Sequence, residues 1–303
     1  MFNLNVPSGQ QEMDYITNPK KWSTFLSSNG YQKITCIGHG SFGDVYAVSS
    51  LDSGVDLAVK RMVSRNNITE DNTWLAESQA LLKLDHENIV QLKEILITPK
   101  MACLVLELAP YGNLELLTER LDKRFDVSFV ITAFQQTVSA VKCCHDNDIA
   151  HCDINPSNIL VFSHHLVKLA DFGLSFRCRD VSSGKEILCT DYLGHDSYIA
   201  PEVIKRQPFS AKPADIWSLG CLLFFMIAGK HPAKNTNSNE LRACINEWML
   251  AISTSDDSSK VSLSYLCHTD PELRPLISEV ILMQPPRSEK SFRPRGSSIS
   301  KTE

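Results

Sequence analysis

Several features that would place the chain in a specialised class of protein are missing from its sequence. None of its ten cysteines forms a C-x-x-C pair, and most lie in apolar runs, which favours free buried thiols over disulfides or a zinc site. The chain does not begin with basic residues followed by an apolar run, so no secretory signal is predicted. The longest apolar stretch, 216–229, is too short to cross a bilayer. We therefore expect a cytoplasmic protein, with a nuclear location also open, and no membrane partner.

Excess positive charge is absent as well. Lys and Arg number 30 against 35 Asp and Glu, for a net charge of -5, so no basic face and no nucleic-acid partner are predicted. Hydrophobic residues make up 43% of the chain and charged residues 21%, which is ordinary for a globular protein. The 303 residues are enough for one large two-lobed domain or two small ones. The oligomeric state does not follow from these numbers.

The hydrophobic pattern changes part-way along the chain. Residues 31–107 hold short β-rich runs broken by Gly and Asp, with one helical interval at 71–84, and helical spacing dominates from residue 114. This order predicts an α+β fold with a small β-rich lobe followed by a larger helical lobe. The predicted domain covers 31–283, divided into lobes of 31–108 and 109–283.

The two ends of the chain have a different composition. Residues 1–30 are polar and mixed, and we expect an arm that packs loosely on the domain. Residues 284–303 hold Lys and Arg among Ser, Pro and Gly, which predicts a disordered basic tail. A solvated end and a docking or localisation role are both open for this tail.

A glycine-rich motif links the first two predicted strands. Its residues are Gly38, His39, Gly40, Ser41, Phe42 and Gly43, with Asp44 and Val45 beginning the second strand. Glycines let backbone N–H groups approach phosphate oxygens closely. A dinucleotide-binding βαβ unit is excluded because no helix follows Gly43. Taken alone, the motif also fits a plain glycine-rich hairpin turn.

The densest set of chemically useful residues is His-Cys-Asp-Ile-Asn-Pro-Ser-Asn at 151–158, followed by Asp-Phe-Gly at 171–173. Asp153 is placed to accept a proton, while Asn158 and Asp171 offer oxygens suited to Mg²⁺. Upstream, Lys60 ends an apolar strand and Glu77 lies on the next helix, a pair suited to holding nucleotide phosphates. A lysine on an apolar strand is also commonly an exposed-face residue, and that reading stays open for Lys60 alone.

Three further motifs follow in order: Ala-Pro-Glu at 200–202, Asp-Ile-Trp-Ser-Leu-Gly at 215–220, and Asp-Pro-Glu-Leu-Arg-Pro at 270–275. With the glycine motif, Ala58-Val59-Lys60, Glu77 and the two segments above, they make the chain resemble the eukaryotic protein kinase superfamily over about 31–283. Small-molecule phosphotransferases share H-x-D-x-x-x-x-N but lack the first two of these motifs. Pro156 matches the serine/threonine form, and a loose similarity to Mos-type kinases is present.

The resemblance implies a bilobal kinase that uses ATP and Mg²⁺ to phosphorylate a Ser or Thr of a protein substrate. Asp153 would accept the hydroxyl proton with Asn155 and Lys60 completing the catalytic set, and Asn158 and Asp171 would bind the metal. The residues that would surround the nucleotide are Ile37, Gly38, His39, Gly40, Ser41, Phe42, Gly43, Asp44, Val45, Ala58, Lys60, Glu77, Glu107 and Ala109. Leu106 would be the gatekeeper beside the adenine, Asp215 would brace the catalytic loop, and Arg274 would pair with Glu202.

Three residues depart from the family pattern. Cys152 stands where an arginine usually grips a phosphate on the activation segment, so activation by that route is not expected. Asn155 replaces a lysine that contacts the γ-phosphate, and His195 replaces the threonine that bonds that lysine and the catalytic Asp. We expect the His195 side chain to donate a hydrogen bond there and to make activity sensitive to pH.

The free energy lost through these substitutions is small enough to favour a working enzyme. One lost charge-assisted hydrogen bond costs roughly 1.5–3 kcal/mol, or about 10- to 150-fold in rate, whereas the metal ligands and the base are retained. A slowed or specialised kinase is therefore expected. The alternative is a pseudokinase that binds nucleotide and acts as a scaffold.

Overall fold

The computed structural model describes residues 18–40, 43–64, 68, 72–121, 125–232, 238–252 and 263–280. Its α-helices are α1 (Pro19–Ser28), α2 (Asn72–Lys83), α3 (Leu114–Arg120), α4 (Val127–Asp146), α5 (Pro201–Ile204), α6 (Ala211–Ala228), α7 (Ser238–Ile252) and α8 (Ile277–Val280). Its strands are β1 (Tyr31–Gly40), β2 (Gly43–Ser50), β3 (Asp56–Val63), β4 (Leu92–Thr98), β5 (Met101–Glu107), β6 (Ile149–Ala150), β7 (Ile159–Ser163), β8 (Leu166–Leu169) and β9 (Phe176–Arg177). Short 3₁₀ turns cover Pro156–Asn158, Leu263–Cys267 and Pro271–Leu273.

The first five strands form one antiparallel sheet in the order β1-β2-β3-β5-β4. Strand β5 is buried on both faces because successive side chains point to opposite sides of the sheet. Ala102, Leu104 and Leu106 join the main core, where α2 also packs. The alternating residues Met101, Cys103 and Val105 join a second cluster. The predicted β-rich lobe with one helical interval is confirmed.

Helix α1 supplies the outer half of that second cluster. Asn18 caps its first turn by accepting a hydrogen bond from the Lys20 N–H at 3.0 Å. The spacing of Trp22, Phe25 and Leu26 places them on one face, and all three are buried against the sheet. The expected loose packing of the arm is therefore wrong for 18–28. Residues 1–17 and the predicted tail at 284–303 lie outside the described residues.

The helical lobe is built around α4 and α6. Apolar residues at helical spacing are buried along one face of α4, and α6 is buried along most of its length. Both helices are long and apolar enough to span a membrane by length and composition, yet at least half of each lies buried in the protein, as in a core helix. All ten cysteines are free thiols, as predicted, but the expected burial holds for only six of them, since Cys36 is exposed and Cys143, Cys152 and Cys244 are partly buried.

Four short strands interrupt the predicted run of helices. Strands β7 and β8 pair with each other, and β6 pairs with β9. Each has only two to five residues, too few to show a period in the sequence. Together they hold the segment 151–158 and the start of the segment that follows Asp171, so they position the candidate site.

Candidate active site

The glycine motif spans the end of β1 and the start of β2. Gly40 lies opposite Gly43, and Gly43 has a φ of +140°, which side chains rarely adopt. A Cβ on Gly43 would lie 2.1 Å from the backbone oxygen of Arg61, so only glycine fits against β3. Ser41 and Phe42 lie outside the described residues.

The other residues predicted around the nucleotide lie on the strands that flank this turn. Ile37, Gly38 and His39 are on β1, Asp44 and Val45 on β2, and Ala58 on β3. Val45 pairs with Lys60 and Ala58 with Leu106 across the sheet. The register thus brings the predicted nucleotide residues of three strands together.

Lys60 lies at the centre of a buried ion network. Its Nζ is 2.7 Å from Glu77 Oε2 and 2.7 Å from Asp171 Oδ1. Burial raises the pKa of Glu77 to about 7, against the opposing effect of the Lys60 charge. Burial lowers the pKa of Lys60 while the two carboxylates raise it, and the net shift is upward. The predicted Lys60–Glu77 pair forms, and Lys60 remains charged.

The backbone after β5 connects the two lobes. Leu106 is buried, and the N–H of Glu107 donates to the backbone oxygen of Gln91 at 3.2 Å. The N–H of Ala109 makes no hydrogen bond to another described residue. The side chain of Glu107 accepts from Lys168 Nζ on β8 at 2.5 Å. This ion pair joins the connecting segment to the helical lobe.

Three donors hold the carboxylate of Asp153. Oδ1 accepts from Asn155 Nδ2 at 3.0 Å and from the His195 backbone N–H at 3.0 Å. Oδ2 accepts from Asn158 Nδ2 at 2.8 Å. Asn155 also caps the following 3₁₀ turn, since its Oδ1 accepts from the Ser157 N–H at 2.9 Å. These three neutral N–H donors therefore hold the carboxylate in a fixed position.

Asp215 braces the start of this loop from inside α6. Its Oδ1 accepts from the Cys152 N–H at 2.9 Å, and its Oδ2 from the His151 N–H at 2.8 Å. His145 Nε2 lies 2.9 Å from the same Oδ2. Ser210 occupies the cap position of α6, so Asp215 is not the helix cap. The brace holds Cys152 at a φ of +63° and directs the chain towards Asp153.

His195 contacts Asp153 differently from the expectation. The bond to Asp153 comes from its backbone N–H, and within the described residues its ring makes no hydrogen bond to that carboxylate. The ring lies against Tyr198, with centroids 5.7 Å apart, and against His231 at 6.3 Å. The expected side-chain donor is therefore replaced by a peptide donor. Residue type alone does not show which group of a residue faces the site.

The Cys152 thiol lies where the family has an arginine. It lines a cavity of ≈ 20 Å³, together with Asp153, Tyr198 and Phe209 among others. Burial raises the pKa of the thiol, so it stays neutral and offers no charge to a phosphate. The predicted Arg274–Glu202 ion pair forms with two bonds of 2.6 and 2.7 Å.

Asn158 and Asp171 carry the kinds of oxygen that a magnesium site uses. Asn158 uses its Nδ2 for the bonds to Asp153, so its amide oxygen is not consumed by them. Asp171 receives Lys60 on Oδ1, which leaves Oδ2 as a second oxygen donor. Mg²⁺ usually takes one or two carboxylates, with phosphate oxygens and water filling the remaining positions. The donor set fits that pattern.

Two residues of this region gave no signal in the sequence. Lys168 alternates with apolar neighbours on β8, which places it on the other face but does not identify Glu107 as its partner. Arg61 follows Lys60 and points to the opposite face of β3, where its guanidinium is 2.6 Å from Asp44. Both partners are distant in sequence, so only the fold reveals them.

Comparisons with known proteins agree with this geometry. Residues 31–287 match the protein kinase domain family. The chain is 37% identical over 258 residues to the putative sperm motility kinase W of Mus musculus, covering 82% of this chain and 49% of that protein. It is 34% identical over 268 residues to CBL-interacting protein kinase 19 of Oryza sativa subsp. japonica, covering 87% and 51%.

Testis-specific serine/threonine-protein kinase 1 of Mus musculus is 34% identical over 221 residues, covering 71% of this chain and 60% of that protein. The chain thus spans about half the length of the first two of these relatives. The likeness to Mos-type kinases stays a prediction. The ordered motifs, the bilobal α+β fold and the family match together show that the chain belongs to the eukaryotic protein kinase superfamily.

Proposed function

We propose that this chain is an active protein serine/threonine kinase that transfers the γ-phosphate of ATP to a hydroxyl of a protein substrate. The arrangement around Asp153 supports this proposal most strongly, because three donors aim its carboxylate while Lys60, Glu77 and Asp171 form an intact ion network. The ion network would serve nucleotide binding, and the positioned carboxylate of Asp153 would serve the transfer itself. The family generally uses ATP and Mg²⁺, and the residues that would receive them are present.

Each of these side chains has its own role in the transfer reaction. The substrate oxygen forms a bond to the γ-phosphorus, the bond from that phosphorus to the bridging oxygen breaks, and ADP leaves. Asp153 accepts the hydroxyl proton as the new bond forms. Lys60 holds the α- and β-phosphates, and Glu77 holds Lys60 in place. Mg²⁺, held by Asn158 and Asp171, would neutralise charge on the phosphates.

Asn155 is the residue that decides how fast this transfer is. Its amide N–H donates to Asp153, while its oxygen caps the turn at Ser157. In this position it orients the base, but it does not supply the positive charge of a lysine at the γ-phosphate. The proposed enzyme is therefore slower than one with lysine by roughly 10- to 150-fold, the loss expected for one charge-assisted hydrogen bond.

Serine or threonine is the proposed acceptor. Pro156 occupies the position that matches the serine/threonine form, and one of the three relatives named above carries that specificity in its name. The absence of a lysine charge at position 155 favours the second candidate function, a scaffold that binds nucleotide without transferring phosphate. The two candidates share the nucleotide site and differ only in transfer.

The discriminating experiment measures transfer of the labelled γ-phosphate from Mg-ATP to a generic protein substrate, followed by phosphoamino-acid analysis. The expected result is label in serine and threonine with the wild-type chain, and its loss in Asp153→Ala. Asp146→Ala, which removes an exposed carboxylate at the end of α4, is the matched control and should transfer normally. Equal signal in wild type and Asp153→Ala would refute the kinase proposal. Thermal stabilisation by Mg-ATP without transfer would support the scaffold.

A further inference from the structure

Helix α1 precedes the part of the chain that matches the kinase family, which begins at residue 31. It nevertheless buries its apolar face against the sheet that carries the glycine motif, and only 4% of Trp22 is exposed. Trp22 packs against Phe25 on the same helix and Tyr46 on β2, with ring centroids 5.7 and 5.1 Å apart. The helix is thus in direct contact with the second strand of the nucleotide hairpin.

Arg61 connects this helix to the hairpin. Its guanidinium carbon lies 4.8 Å from the centroid of the Trp22 ring and 5.1 Å from that of Tyr46, within the range of cation–π attraction. Its Nη2 is 2.6 Å from Asp44 Oδ2, and its side chain is only 10% exposed. Arg61 follows Lys60 in the chain, so one strand presents a cation to each face of the sheet.

Asp44 contacts both Arg61 and the glycine motif. Its Oδ1 lies 2.8 Å from Nδ1 of His39, the residue between the first two glycines of the motif. The strand register supports the contact, since His39 pairs with Asp44 and Asp44 pairs with Arg61. The hydrogen bond with His39 and then that with Arg61 lower the pKa of Asp44, against the opposing effect of burial. The carboxylate is therefore ionised and bonded on both oxygens.

We propose that helix α1 is a positioning element for the nucleotide-binding hairpin, acting from Trp22 through Arg61 and Asp44 to His39. Each contact leads to the next: the indole ring lies against the guanidinium, the guanidinium pairs with the Asp44 carboxylate, and the carboxylate contacts the His39 ring, which is otherwise 80% exposed. A kinase unit without α1 would then keep its catalytic residues but bind ATP more weakly. The expected effect on ATP binding rests on the proposed function. The contacts that link Trp22 to His39 do not depend on it.

The test uses the full chain with matched substitutions at Trp22. Trp22→Phe keeps an aromatic face for Arg61, whereas Trp22→Leu is apolar but smaller and has no aromatic face. Phe25→Leu alters the same hydrophobic cluster from the neighbouring position and serves as the control. Melting curves establish that each variant is folded. The readouts are KM for ATP, kcat, the affinity for Mg-ADP, and hydrogen exchange of the backbone amides at 36–40 and 43–46 without nucleotide.

We expect Trp22→Leu to raise KM for ATP and to weaken Mg-ADP binding by about fivefold, with kcat within about twofold, which corresponds to about 1 kcal/mol. The hairpin amides should exchange about fivefold faster, and Trp22→Phe should restore both properties. Equal effects of Trp22→Leu and Phe25→Leu, or no change in exchange, would overturn the link. If the wild-type chain binds no nucleotide, the proposed function fails, and hydrogen exchange still decides the link by itself.

Discussion

The substitution Glu77→Gln tests the buried ion network most sharply. Glu77 is 1% exposed, and its Oε2 accepts from Lys60 at 2.7 Å, so glutamine keeps the shape but removes the charge. The lost charge-assisted hydrogen bond is worth roughly 1.5–3 kcal/mol, or about 10- to 150-fold in kcat/KM for ATP. Lys60 still contacts Asp171 at 2.7 Å, so the variant should retain measurable activity.

The pH dependence of the same residue gives a second, independent readout. Burial raises the pKa of Glu77 from its usual 4.5 to about 7, so the wild-type carboxylate loses its charge as pH falls through about 7. Activity should fall on that acidic side, and Glu77→Gln should lack that part of the profile. Stability should behave in the opposite way. The raised pKa favours the folded state below pH 4.5, and this contribution is lost between pH 4.5 and about 7.

The assay compares kcat/KM for ATP and melting temperature from pH 5.5 to 8.5 in wild type, Glu77→Gln and Glu119→Gln, an exposed control. The melting temperature of Glu77→Gln relative to wild type should rise with pH, because the variant carries no buried charge. A variant with wild-type activity, or one that keeps the acidic fall in activity, would refute the assigned role of Glu77. The control should match the wild type throughout.

Three further predictions follow from contacts outside that network. Lys168→Met removes the ion pair with Glu107, worth about 1 kcal/mol, and should raise KM for ATP about fivefold; an unchanged KM would contradict the role given to this pair. His195→Phe should keep both activity and its pH profile, because the bond to Asp153 comes from the backbone; a flattened profile would show that the imidazole acts on the base. Asp126→Ala removes the cap of α4, whose Oδ1 accepts from the Phe129 N–H at 2.8 Å, and should lower the free energy of unfolding by about 1 kcal/mol in urea titrations. Full stability of that variant would argue against the cap.

The sequence predicted those parts of the molecule in which local pattern and motif order agree. Helical spacing was predicted from residue 114, and the apolar residues of α4 follow that period because one face of the helix meets the core. The Lys60–Glu77 and Arg274–Glu202 pairs also form, since each partner belongs to a motif of the family. In these cases the residues themselves carried the information.

Other features could not be predicted from the sequence, because they depend on which group of a residue contacts which neighbour in the folded chain. Trp22 and its apolar partners on α1 had helical spacing after an Asn-Pro start, but their polar surroundings pointed to a loose arm. They are buried against one face of the sheet, and the residues of that face lie later in the sequence. His195 acts through its peptide group, which its side-chain chemistry does not predict. The Arg61–Asp44 contact likewise needs the register of β2 and β3.

The most direct test of the central claim is the single-turnover rate of γ-phosphate transfer at saturating Mg-ATP in wild type and Asp153→Asn. Nucleotide affinity is measured in parallel, so that binding and chemistry are separated. Because Asp153 is held by Asn155, Asn158 and the His195 peptide as the proton acceptor, we predict similar affinity and a fall in rate of about 10²- to 10⁴-fold. Equal transfer rates in the two proteins would contradict the account.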